Sequence, residues 1–94
     1  MKHLNINELS RKYKVETQPK KISLHLDPNN SGRMVFLQDG VWQIEPELML
    51  KAREDILFAL GIDKKDKLAK KVKGRAVILP EMVTLEFFLP WEIK

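Results

Sequence analysis

From Lys21 to Leu26 polar and apolar residues alternate, with Ile22, Leu24 and Leu26 on one side and Lys21, Ser23 and His25 on the other. A period of two is the spacing of a half-buried strand, because successive side chains leave opposite faces of the backbone. Turn-forming residues fill Asp27 to Gly32. A second run, Arg33 to Gln38, then meets a third, Val41 to Ile44, across Asp39-Gly40. Asp-Gly between two such runs predicts a two-residue hairpin. If Gln38 faces Val41, then Leu37 faces Trp42, Phe36 faces Gln43 and Val35 faces Ile44. One face thus gathers Val35, Leu37, Trp42 and Ile44 and should meet Ile22, Leu24 and Leu26. Met34, Phe36 and Val41 stay on the other face, which calls for a cover. Beyond Pro80 a last strand sets Val83, Leu85, Phe87 and Leu89 against Thr84, Glu86 and Phe88.

Elsewhere the period lengthens. Pro46 suits a first helical turn and Gly61 a helix stop, bounding a helix of about 46–60. On it Leu48, Met49, Ala52, Ile56, Ala59 and Leu60 share one arc, as on a core-facing helix. Leu50 and Leu57 fall outside that arc, and Phe58 projects near Glu47 and Lys51. This second apolar strip is either buried from both sides or covered by another chain. A short helix starts at Asn5 or Asn7 and runs through Tyr13, and Pro19 bars its continuation. Residues 64–73 admit two readings. One is a helix capped by Asp63, with Leu68 and Val72 inward and Lys64, Lys67, Lys70 and Lys71 outward. The other is a strand over Lys67–Val72 that Lys73-Gly74 turns back into Arg75–Leu79. The Ala and Lys content favours the helix. The pattern as a whole predicts a small α+β single domain over 1–94: an antiparallel β-hairpin sheet packed on one main helix (about 46–60), with C-terminal strands.

Composition narrows the setting. A chain of 94 residues holds one compact core and little more. Without cysteine there is no disulfide framework and no thiolate chemistry, which fits a reducing compartment. No apolar run is long enough for a membrane span, and Lys2, His3, Asn5, Asn7 and Glu8 break the apolar stretch a secretory signal needs. The expected location is cytoplasmic, away from membranes. The net charge of +4 is unevenly spread: residues 64–75 hold six lysines and Arg75 against Asp66 alone. Such a segment is a candidate contact for polyanions or a solubilising face.

Two stretches resemble known DNA-binding elements. Leu60-Gly61-Ile62-Asp63-Lys64-Lys65-Asp66-Lys67-Leu68 followed by Gly74-Arg75-Ala76-Val77-Ile78-Leu79-Pro80 resembles the C-terminal half of the AbrB-like fold. That family comprises swapped-hairpin dimers, among them transcription regulators and antitoxins that bind DNA through basic residues. The resemblance implies a dimer and a strand over Lys67–Val72. Glu8 to Val15 resembles the first helix and turn of a helix-turn-helix. Pro19 and the alternation after it leave no recognition helix to follow.

Other constellations carry less. Asp27, Asn29, Ser31 and Gly32 match the opening of a calcium loop, but its twelfth position is Gln38 instead of a bidentate Glu, and ordinary turn usage explains the composition. His3 and His25 lack ligand spacing, and Glu47, Lys51 and Asp55 at i, i+4 intervals suit salt-bridged helix surface. No phosphate loop or nucleophile elbow occurs. The expectation is therefore a non-enzyme without cofactor or metal. Foremost is a nucleic-acid-binding protein, a small dimeric DNA-binding regulator, whose Lys64, Lys65, Lys67, Lys70, Lys71, Lys73 and Arg75 neutralise DNA or RNA phosphates. Arg11, Lys12 and Lys14 offer a second patch. The alternative is a protein–protein interaction module, an adaptor, inhibitor or assembly subunit, with Leu50, Leu57, Phe58, Phe88 and Trp91 as apolar contacts.

Overall fold

The computed structural model describes residues 4–27, 35–79 and 81–93. Among them the chain runs α1 (Ile6–Ser10), β1 (Lys14–Gln18), β2 (Lys21–Leu26), β3 (Val35–Gln38), β4 (Val41–Ile44), α2 (Pro46–Leu60), a 3₁₀ turn (Lys67–Lys71), β5 (Lys73–Ile78) and β6 (Val83–Phe88). The strands form two antiparallel sheets, one of four strands in the order β1-β2-β6-β5 and one the β3-β4 hairpin. This is the expected α+β architecture.

Register divides the four-stranded sheet into two faces. Ile22 and Leu24 of β2 pair with Phe87 and Leu85 of β6, and these with Gly74 and Ala76 of β5. With Val83 they are the inner face, against which α2 packs over β5 and β6 and α1 over β1. Ile56 and Ala52 of α2 and Leu9 of α1 complete the fully buried centre. Apolar side chains removed from water on this scale are the main stabilising term, roughly 1.5–3 kcal/mol for each large one. Gly74 is required by packing: a Cβ there would lie 2.8 Å from Phe87 and 3.0 Å from Met49. It is an inner-face strand residue, not the turn of a hairpin.

The hairpin β3-β4 has the register read from Asp-Gly, with Val35 opposite Ile44 and Leu37 opposite Trp42. Asp39 and Gly40 both take positive φ, 53° and 79°, as a two-residue hairpin turn twisted with its strands demands. Val35, Trp42 and Ile44 join the core, whereas Leu37, beside the turn, is exposed. Met34 and most of the candidate calcium loop, residues 28–34, lie outside the described residues.

Two elements differ from the pattern reading. The first helix stops at Ser10, where Leu9 carbonyl accepts from the amides of both Lys12 and Tyr13. The chain then enters β1, which pairs with β2 through Pro19-Lys20. Pro19 thus serves a turn between strands. β1 escapes detection because Lys14-Val15-Glu16-Thr17-Gln18 places only one large apolar residue on its inner face. Residues 64–72 are neither a full helix nor a strand, and Lys73 already belongs to β5, so the strand that the AbrB-like resemblance implies over Lys67–Val72 is a 3₁₀ turn here.

The end of α2 follows its sequence closely. Gly61 adopts φ 71°, its amide donates to Phe58 carbonyl, and the Ile62 amide donates to Leu57 carbonyl. This pair of bonds is a Schellman ending, in which the residues at the Leu57 and Ile62 positions bring apolar side chains together. Leu57 is accordingly 3% exposed, which removes it from the expected surface strip.

Candidate nucleic-acid interface

The lysine-rich segment is built as a chain of tight turns. Asp66 amide donates to Asp63 carbonyl at 2.8 Å, Ala69 amide to Asp66 carbonyl at 3.1 Å, and Val72 amide to Ala69 carbonyl at 3.3 Å. Two aspartate side chains reinforce it: Asp63 accepts from Lys65 amide at 2.8 Å and Asp66 from Leu68 amide at 2.9 Å. The cap of the turn is Asp66, and not Asp63. Side chains that compete for nearby amides, together with like charges three and four residues apart, disfavour a longer α-helix.

The repeat of three also sorts the side chains. Residues three apart nearly eclipse one another in a 3₁₀ turn. Ala69 and Val72 point into the core, and Lys64, Lys65, Lys67, Lys70 and Lys71 remain exposed. Arg53, on α2, clamps the segment from below by donating to the carbonyls of Ala69 and Val72. The lysines therefore project from a backbone that the core and one arginine hold in place. Nothing in the sequence pattern singles out Arg53 for this work.

Charge pairing separates the predicted basic residues. Among the described residues no ion pair involves Lys64, Lys65, Lys67, Lys70, Lys71 or Lys73. Arg75 is different. Its Nε lies 2.7 Å from Glu86 Oε1, and its guanidinium sits 5.3 Å from the centre of the Phe88 ring. Lys21 reaches the other oxygen of Glu86 at 3.1 Å. Hydrogen bonds from Arg75 and then from Lys21 hold the Glu86 carboxyl below its usual range. The proposed second patch is also partly neutralised: Lys12 pairs with Asp55 at 3.3 Å and Arg11 with Glu8 at 4.0 Å. Asp55 further accepts from Tyr13 hydroxyl at 2.8 Å, so it faces the turn after α1 instead of joining a Glu47-Lys51-Asp55 ladder. Burial, aided by Asp55, raises the Tyr13 phenol well above its ordinary value.

The residues proposed as partner contacts do not converge. Leu50 and Phe58 are exposed on α2, at 62% and 76%. Phe88 lies on the opposite side of the sheet, because β6 turns it away from the inner face. Trp91 is half-buried, packed against the core. Beside Phe58 a shallow groove of about 310 Å³ is lined by Leu57, Ile62, Glu54, Asp63 and Lys64.

His25 Nδ1 lies 2.9 Å from Thr84 Oγ1, and its Nε2 lies 3.8 Å from Glu16. Among the described residues no three His, Asp or Glu side chains are grouped to hold a metal ion, and no helix is long and apolar enough to cross a membrane. The fold thus defines a small α+β protein in which, among the described residues, the lysines of the 64–73 segment have no ion pair. No protein-family model, curated protein or solved structure matches the chain.

Proposed function

We propose that the protein is a non-enzymatic nucleic-acid-binding protein that contacts phosphates through Lys64, Lys65, Lys67, Lys70, Lys71 and Lys73. The observation that carries this reading is the set of exposed lysines on a turn fixed by Arg53, with no ion pair to any of them among the described residues. Unpaired lysines held close together raise the local potential and release counterions from a polyphosphate. Lysine is a point charge, so the contact favours backbone over base. Arg75 contributes less charge than expected, since Glu86 offsets it.

The narrower reading of a dimeric DNA-binding regulator rests on the AbrB-like resemblance of residues 60–80, and the cytoplasmic location rests on the cysteine-free composition. Sedimentation of the purified chain tests the dimer. The nucleic-acid reading is tested by fluorescence anisotropy with a labelled oligonucleotide. If all six lysines reach phosphates, affinity falls by on the order of 10³-fold between about 50 and about 200 mM salt. Absence of binding at the lower salt would remove the proposal.

A second reading, a protein contact, is favoured by the exposure of Leu50 and Phe58 on one helix. Large apolar side chains of this kind act as anchors when a partner covers them. Phe58→Asp would abolish such an association and leave oligonucleotide affinity unchanged.

A further inference from the structure

The outer face of the four-stranded sheet carries a second arrangement, which lysine counting along the chain does not reveal. Across three neighbouring strands Lys21 on β2, Phe88 on β6 and Lys73 on β5 stand side by side. In the next row come Ser23, Glu86 and Arg75. Neighbouring strands lie about 4.8 Å apart, so a cation flanks Phe88 on either side within reach of one nucleotide. Phe88 is 37% exposed on the central strand β6, whereas Ser23 and Glu86 in the next row are buried. Glu86 fixes the Arg75 guanidinium against that ring. The guanidinium lies over the ring, so the stacking surface offered is the arginine plane on that side and the ring itself on the other. The patch is continuous with the lysine-rich turn, which enters β5 at Lys73.

A duplex keeps the faces of its bases stacked inside, where a ring on a sheet cannot meet them. A single strand offers those faces freely, and aromatic side chains in basic surroundings stack on them whatever the base. Arginine planes do the same. Resting on the nucleic-acid reading above, we propose that this end of the sheet binds single-stranded nucleic acid. A base stacks against the Phe88–Arg75 pair, Lys73, which has no ion pair among the described residues, meets a flanking phosphate, and the strand continues over Lys70 and Lys71. Charge complementarity and the exposed ring select this occupant over an apolar protein partner, which would leave Lys21, Lys73 and Arg75 to be desolvated at its edge.

The test is anisotropy with a labelled single strand of about 12 nucleotides and the duplex of the same sequence, against the wild type, Phe88→Ala and Phe88→Trp. The expected result is tighter binding of the single strand than of the duplex. Phe88→Ala should weaken the single-strand complex roughly 5- to 100-fold, leave duplex affinity unchanged, and find its rescue in Phe88→Trp. Should Phe88→Ala lower the melting temperature, fluorescence of Phe88→Trp decides: quenching by the single strand beyond that of the wild type supports stacking, and its absence overturns it. Equal affinity for single strand and duplex, with no loss in Phe88→Ala, would overturn this inference while leaving the nucleic-acid reading in place. No binding of either oligonucleotide would overturn both.

Discussion

The lysine-rich turn and the Lys21-Glu86-Arg75 cluster sit next to each other, and both contain basic residues, yet their charges do different things. In the cluster, Glu86 takes hydrogen bonds from cations on two neighbouring strands and ties β2 and β5 to β6 between them. In the turn, both aspartates are used on backbone amides, and among the described residues none of the six lysines is ion-paired. A count of basic residues is therefore a poor guide to a polyanion site. What matters is whether an acid within reach consumes the charge, and whether a fixed backbone holds the remaining cations together.

The largest effect expected from breaking this contrast is on binding. Reversing Lys67, Lys70 and Lys71 to glutamate should lower oligonucleotide affinity by on the order of 10²- to 10³-fold, with little change in melting temperature, since exposed charges contribute little to folding. Arg53→Ala comes next. It removes the side-chain donor from the carbonyls of Ala69 and Val72, the first of which keeps only the Val72 amide, and should cost about 1–3 kcal/mol in chemical denaturation. The same variant should lose part of the binding, because the lysines no longer project from a fixed base. Glu86→Gln sharpens the comparison from the other side. It frees Lys21 and Arg75, so affinity for a duplex, which makes no use of the stacked ring, should rise a few-fold while thermal stability falls.

The Glu86 cluster also predicts a pH dependence. Because the folded carboxyl of Glu86 titrates below its ordinary value of 4.5, its contribution is fully present above that value and is lost as pH falls through the lowered folded range. Glu86→Gln should flatten that part of a stability profile. The smallest expected effect is at alkaline pH. Tyr13 is held in its neutral form, so its contribution is intact below its ordinary value of 10.0 and is lost as pH rises beyond it. Tyr13→Phe should remove that slope.

Strong local signals made much of the fold legible. Asp39-Gly40 fixed a hairpin register because few residue pairs tolerate two positive φ values in succession, and Pro46 with Gly61 bounded α2 to the residue. The alternation of Ile22 and Leu24 and of Val83, Leu85 and Phe87 marked two central strands. β1 was hidden because an edge strand with one covered face needs few apolar residues. Residues 64–73 were ambiguous because Ala and Lys suit a helix, while the aspartate amide bonds and Arg53 that decide the matter are tertiary or side-chain effects. Leu57 was misplaced by helical phase alone. The apolar residue just past Gly61, Ile62, is the signal that a Schellman ending would bury it. The lysines of the candidate site were plain in the sequence. The pairing of Arg75 with Glu86 was not, since it depends on strand order.

An amide chemical-shift titration of the isotope-labelled protein with a short oligonucleotide tests the central claim most directly. The expected result is that shifts cluster on residues 64–75, with α2 at Leu50 and Phe58 silent. Shifts confined to Leu50 and Phe58, or none at saturating oligonucleotide, would contradict it.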